Sequence, residues 1–179
     1  MAMRIRISFP LIFMATLGGC AATMAGESAD TWVVEGTSPL NDGAGRSVGI
    51  AQLERDGSNW RLELNVAGLA PGEHGIHLHE AGRCDGPDFA TAKGHLNPLG
   101  KAHGSANPAG MHMGDLPNLV VGADGTAKSF VTVSAQLDIA RVFDTDGTAV
   151  VIHDKIDDYR TDPSGNSGGR IACGVIRRP

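Results

Sequence analysis

Trp60-Arg61-Leu62-Glu63-Leu64-Asn65-Val66 is the stretch that sets the fold class. Apolar and polar residues alternate over all seven positions. Side chains leave a strand on opposite faces in turn, so one face of this segment packs and the other meets water. Ser47 to Leu53 reads as its partner, because Asp56-Gly57 between the two is a hairpin turn signal. The same logic pairs Asn118 to Gly122 with Ala127 to Val133 across Asp124-Gly125. Trp32 to Gly36, Gly75 to Glu80, Thr148 to His153 and Arg170 to Ile176 complete a set of eight short strands. No 3.6-residue periodicity is sustained, although Ala135 to Phe143 has room for one helical turn. The pattern predicts an all-β domain, an eight-stranded antiparallel sandwich or flattened Greek-key barrel.

Two connections are too long to be simple turns, Ala81 to Asn118 and Asp154 to Gly169. Long segments without regular structure in a compact domain are usually functional or disordered, and both of these adjoin histidines. Five of the seven histidines fall between Gly75 and Asp115: His77, His79, His95, His103 and His112. His77 and His79 are two apart in a strand, so both leave the same face and can reach one metal ion. His153 ends another strand. His95, His103, His112 and Asp115 lie in a Gly/Pro-rich loop that must fold back on itself.

Seven candidate ligands exceed one four-coordinate site. They satisfy two sites if one imidazole bridges through both nitrogens. An all-imidazole set with an open position suits copper, whereas three imidazoles and a carboxylate suit zinc.

The chain of 179 residues allows one domain with its own core. Its first residues do not belong to that core. Arg4 and Arg6 precede a mostly apolar run, Ile7 to Leu17, that is too short to span a bilayer, which is the pattern of an export signal. Leu17-Gly18-Gly19-Cys20 resembles a bacterial lipoprotein cleavage box, making residues 1–19 the leader, Cys20 the lipidated residue and 20–30 a tether to a domain over 31–179. Cleavage after Ala25 is the alternative. An odd thiol is undesirable in an exported protein; acylating Cys20 and pairing Cys84 with Cys173 leaves none free. Loss of Arg4 and Arg6 with the leader takes the formal net charge from −5 to −7. Such a surface is unsuited to nucleic acid or anionic lipid headgroups, so membrane contact is expected only through the anchor.

The order of Gly75-Ile-His-Leu-His-Glu, Gly94-His-Leu-Asn-Pro, Lys101-Ala-His-Gly, His112-Met-Gly-Asp-Leu-Pro-Asn and Gly168-Gly-Arg-Ile-Ala-Cys-Gly-Val-Ile resembles copper/zinc superoxide dismutase, exported bacterial branch, from about Thr31 to Ile176. The resemblance implies an eight-stranded Greek-key barrel that disproportionates superoxide anion to dioxygen and hydrogen peroxide. It implies Cu(II)/Cu(I) held by His77, His79, His95 and His153. It implies Zn(II) held by His95, His103, His112 and Asp115, with His95 as the bridge and a proton donor.

Asp157 matches the acid that joins a copper histidine to a zinc histidine, here His77 and His103. Arg170 matches the arginine that guides the anion, and Cys84 with Cys173 matches the internal disulfide. His74 matches a position that is not a ligand. Only Lys155 and Arg160 remain of a lysine-rich guiding surface. A periplasmic location and a homodimer are further expectations. The rival reading is an envelope protein that buffers copper or zinc without turnover, which would have no use for Arg170.

Overall fold

The computed structural model describes residues 31–179; the expected leader, the expected lipidation site Cys20 and the expected tether lie outside the described residues. Nine strand segments follow one another: β1 (Val33–Asp42), β2 (Ser47–Asp56), β3 (Asn59–Ala67), β4 (Gly72–His74), β5 (Ile76–His79), β6 (Leu119–Val121), β7 (Thr126–Val133), β8 (Ala149–His153) and β9 (Arg170–Val175). β4 and β5 are one run interrupted at Gly75, so the segments amount to eight strands. A one-turn α-helix, α1 (Ile139–Val142), is capped by the Asp138 carboxylate, which accepts from the Ala140 N–H, and Ala90–Ala92 forms a 3-10 turn.

All pairings between these strands are antiparallel. The main sheet runs β5-β8-β9-β1-β2-β3-β7, and β4 pairs separately with β6. The turn between Val121 and Thr126 returns β6 to β7, while β4 continues into β5 at the opposite edge, so the sheet curls round into a flattened barrel. β3 and β4 are not neighbours, nor are β7 and β8, which is Greek-key order. In the β2–β3 hairpin Asp56 faces Asn59, leaving Gly57-Ser58 as a two-residue turn.

Alternation decides what each strand buries. In β3, Trp60, Leu62, Leu64 and Val66 enter the core while Arg61, Glu63 and Asn65 do not. In β5, Ile76 and Leu78 join the same core. By the two-residue period of a strand, His77 and His79 leave on the other face, yet loops bury them as well. A second, smaller cluster of Phe89, Ala92, Ala149, Val151 and Cys173 packs under the loop that starts at Cys84.

β1 departs from expectation. It was predicted to stop at Gly36, yet it runs on through Pro39 to Asp42. Pro39 has no N–H to give to a ladder. It sits between the isolated Thr37–Arg177 bridge and the Asn41–Cys173 pair, where β1 has no ladder toward β9.

Candidate metal centre

The long connection after β5 is laced back onto that strand. Leu78 donates its N–H to Gly114 O (2.9 Å), Leu96 donates to Leu78 O (2.8 Å), and Gly114 donates to Leu96 O (2.9 Å). A side chain at position 114 would strike the Leu78 carbonyl, so the close approach requires glycine. Isolated bridges set Asp115 beside His77 and His95 beside His79. The loop therefore delivers His95 and Asp115 to the face on which β5 already presents its histidines.

His77, His79, His95, His103, His112, His153, Asp115 and Asp157 are each at most 7% exposed. At that depth every polar nitrogen needs a partner. His77 Nε2 donates to Asp157 Oδ2 (2.7 Å) and His103 Nε2 to Asp157 Oδ1 (3.0 Å). His79 Nδ1 donates to Lys93 O (2.9 Å) and His153 Nδ1 to Gly168 O (3.3 Å). An acceptor at one nitrogen keeps the proton there and leaves a bare lone pair on the other.

Those other nitrogens go unmatched. His77 Nδ1, His79 Nε2, His95 Nε2 and His153 Nε2 are buried without a hydrogen-bond partner. These four residues offer ligand atoms within 4.8 Å of one another. A buried unpaired acceptor costs about 1–3 kcal/mol, and a cation among four of them would relieve all at once.

The second cluster centres on Asp115. Its Oδ1 lies 2.8 Å from His95 Nδ1, 3.0 Å from His103 Nδ1 and 3.1 Å from His112 Nδ1. Its Oδ2 accepts from the N–H groups of Gly104 (2.8 Å) and His112 (3.0 Å). The compact acid-containing group of His77, His95, His103 and Asp115 has His77 where the sequence reading has His112. The nitrogens decide between them: His77 Nε2 is engaged by Asp157, whereas His112 Nδ1 faces Asp115 Oδ1 and stands 3.4 Å from His95 Nδ1. His95 turns Nδ1 to the acid-containing cluster and Nε2 to the all-imidazole one.

Charge separates the two clusters. Burial lowers His153 to about 3 and His95 to about 4, in each case against opposing hydrogen bonds. His77 and His79 are lowered for the same reason. Burial also works against charge on His103, but Asp115 and Asp157 together outweigh it and raise the group to about 9. Asp115 in turn is held well below the usual carboxylate range: burial opposes its charge, but His103, His112 and His95 overcome it.

The profile of the copper/zinc superoxide dismutase (SODC) family matches residues 47–176. "Superoxide dismutase [Cu-Zn] 2" of Aquifex aeolicus is 45% identical over 139 residues, covering 74% of this chain and 81% of that protein. This chain belongs to the copper/zinc superoxide dismutase family. The crystal structure of a superoxide dismutase-like protein from Bacillus subtilis superposes with a TM-score of 0.74 at 38% identity, over 81% of this chain and all of that one. Cu/Zn superoxide dismutase from Brucella abortus gives 0.67 at 30% identity, over 79% and 98%. The activity of the family is superoxide disproportionation and its cofactors are copper and zinc. The two clusters suit those metals: four lone pairs from imidazole alone, and an oxygen set among three imidazole nitrogens.

A cleft of about 430 Å³ opens onto the all-imidazole cluster of the dismutase, lined by His79, His95, His153, Pro163, Gly168 and Arg170 among others. Arg170 donates through Nη1 to Phe89 O (2.6 Å) and through Nη2 to Lys93 O (2.5 Å). Lys155 and Arg160 do not line this cleft. The Cys84–Cys173 disulfide joins the loop that carries those two carbonyls to β9, which carries Arg170. His74 lies between two carbonyls, His153 O (2.7 Å) and Ala70 O (2.8 Å).

Sequence reasoning missed the backbone acceptors Lys93 O and Gly168 O, because any residue type supplies a carbonyl. It also missed Gly165. At φ +62° this residue lies against the Asp157 carboxylate, and an added Cβ would come within 2.7 Å of His103 Nε2. The Ser164-Gly165-Asn166 turn was the available signal.

Proposed function

We propose that this chain removes superoxide in a bacterial envelope, with copper among His77, His79, His95 and His153 and zinc among His95, His103, His112 and Asp115. The observation that carries the assignment is the convergence of four unpaired buried nitrogens beside an acid-centred cluster, joined through the two nitrogens of His95. When bound, copper supplies a centre that takes and returns one electron as Cu(II)/Cu(I), and zinc supplies a fixed positive charge without redox chemistry. Two superoxide anions and two protons give one dioxygen and one hydrogen peroxide.

The protein's own groups have three tasks in that reaction. Arg170 holds a permanent charge at the cleft, bearing on both His79 and His153, and attracts and hydrogen-bonds the anion in a protein of net negative charge. His95 carries a proton at Nε2 in one half of the cycle and yields it in the half that makes peroxide. Asp115 and Asp157 fix the tautomers of the histidines they touch.

The chain loaded with copper and zinc should accelerate superoxide decay in pulse radiolysis. Absence of acceleration would defeat the proposal. Arg170→Ala should lower the rate roughly tenfold or more, within the range of electrostatic focusing, while metal content holds. A metal buffer needs the ligands but not Arg170, so an unchanged rate would favour that reading.

The envelope location rests on the leader-like residues 1–19 and on the Cys84–Cys173 bond, which suits an oxidising compartment. The Cys20 anchor predicts that Cys20→Ser moves the protein from the membrane to the soluble fraction. Sedimentation of the mature protein tests the homodimer.

A further inference from the structure

Five of the six clustered imidazoles are accounted for at both nitrogens or braced at the one turned away from the cluster. His95 faces both clusters. His77 and His103 share Asp157, His79 has Lys93 O, and His153 has Gly168 O. His112 is the odd one. Its Nδ1 faces Asp115, but its Nε2 forms no direct hydrogen bond among the described residues and instead points toward Asp162 Oδ1 at 3.9 Å.

Asp162 is already tied to the same loop. Its Oδ1 accepts the His103 N–H at 2.6 Å, although the carboxylate remains 58% exposed. The surrounding segment clamps the histidine loop at further points: Tyr159 O accepts from the Ala106 N–H (2.9 Å), and Arg160 O accepts from Asn107 Nδ2 (3.2 Å). A carboxylate so anchored, 3.9 Å from an imidazole N–H, is beyond direct hydrogen bonding. It is within reach of one bridging water or of a small turn of its own side chain.

We propose that Asp162 is the positioning residue for His112, holding the proton on Nε2 and thereby keeping Nδ1 bare toward Asp115 and the zinc position. The inference rests on the zinc assignment made above. In this arrangement the connection 154–169 supplies two carboxylates to the acid-containing cluster: Asp157 braces His77 and His103 from inside, and Asp162 braces His112 from the rim. The Asp162 segment continues into Pro163 and Ser164, which line the cleft that Arg170 also lines. One segment therefore borders both the His112 rim and the substrate entrance.

Asp162→Asn separates positioning from mere support, because asparagine keeps an oxygen to accept from the His103 N–H but removes the charge facing His112. In the full chain loaded with zinc alone, zinc release to a chromophoric chelator should quicken about tenfold, the lower end of the effect of outer ligand partners. The His112 Nε2–H resonance should exchange faster while that of His103, held by Asp157, is unchanged, and the melting temperature of the metal-free protein should hold. Asp162→Ala, which also loses the His103 bond, should release zinc faster still.

Unchanged zinc release and proton exchange in Asp162→Asn, with zinc retained by the unaltered protein, would overturn the role of Asp162 alone. A uniform fall in metal-free melting temperature and in both metals would overturn it too, by reducing Asp162 to a structural support. Failure of the unaltered chain to retain zinc would instead overturn the zinc assignment, and this inference with it.

Discussion

The two clusters of this dismutase meet at His95 but are held by different means. The all-imidazole side is built largely on strands: His77 and His79 come from β5 and His153 from β8, and two of those rings are oriented by main-chain carbonyls. The acid-containing side is built from a loop, and carboxylates orient its rings. A strand fixes a side chain through its ladder, so ordinary peptide acceptors suffice to set the tautomer. A loop has no ladder and needs strong, charge-assisted acceptors from a second segment to do the same work. The difference appears again in the charges, with imidazoles lowered on one side and His103 raised on the other.

Removing the disulfide should produce the largest effect, and a one-sided one. The Cys84–Cys173 bond spans 89 residues and holds the loop whose Phe89 and Lys93 carbonyls anchor Arg170, the latter also orienting His79. Replacing both cysteines with serine should cost about 4–5 kcal/mol by the chain-entropy argument, read as a drop in denaturant midpoint. Copper affinity and dismutase rate should fall with it, while zinc release stays near that of the unaltered protein. An equal loss of both metals would break the division.

Asp157→Ala tests the carboxylate that braces one histidine of each half. It strands the N–H groups of two fully buried rings, His77 and His103. Zinc affinity should fall 10- to 100-fold, the range for such partners, and copper affinity should fall as well because His77 loses its orientation. Isothermal titration with each metal separately would show it. A change confined to zinc would mean that β5 alone is enough to hold His77.

Gly165→Ala sharpens the same point from the loop side. The added methyl group enters space held by the Asp157 carboxylate and His103, at a backbone φ of +62° that a side chain resists. Overpacking of this kind costs about 1–3 kcal/mol. Zinc should be released faster and the melting temperature should fall, with a smaller loss of copper affinity, because the crowded oxygen is Oδ1, which accepts from His103, and not Oδ2, which accepts from His77.

How much of this could be read in the chain depended on whether the signal was local. The hairpin at Asp56-Gly57 was legible because turn chemistry and alternation sit side by side. At Asp124-Gly125 the turn was legible but the expected pairing was not, because β6 pairs with β4 and β7 with β3 rather than with each other. The His-x-His of β5 was legible because period two fixes which face both rings leave. β4 was not, since Gly72-Glu73-His74 has no pattern of its own and becomes a strand only against β6. The lacing of Leu96 and Gly114 onto Leu78 was hidden too, because such pairing joins residues far apart in sequence and leaves no period. Gly165 shows the general difficulty: its importance lies in the room it leaves for Asp157 and His103.

The gentlest test of the division is the pH dependence of stability in the metal-free protein. His103 titrates near 9 in the fold against 6.5 in the unfolded chain, so the folded state binds its proton more tightly. That contribution is fully present below pH 6.5 and is lost as pH rises through 9. His95 and His153 are displaced the other way, to about 4 and about 3, so the fold keeps them neutral where the unfolded chain would protonate them. They subtract stability progressively as pH falls below 6.5. The denaturant midpoint should therefore peak near pH 6.5, with an alkaline limb belonging to the loop-built half and the first part of the acid limb to the strand-built half. His103→Gln should flatten the alkaline limb and leave the onset of the acid limb alone. Loading with zinc should flatten the alkaline limb too, since in the proposed site the metal would take the place of the proton on His103. An alkaline limb that survived both changes would locate the charge asymmetry elsewhere and dissolve the contrast between the halves.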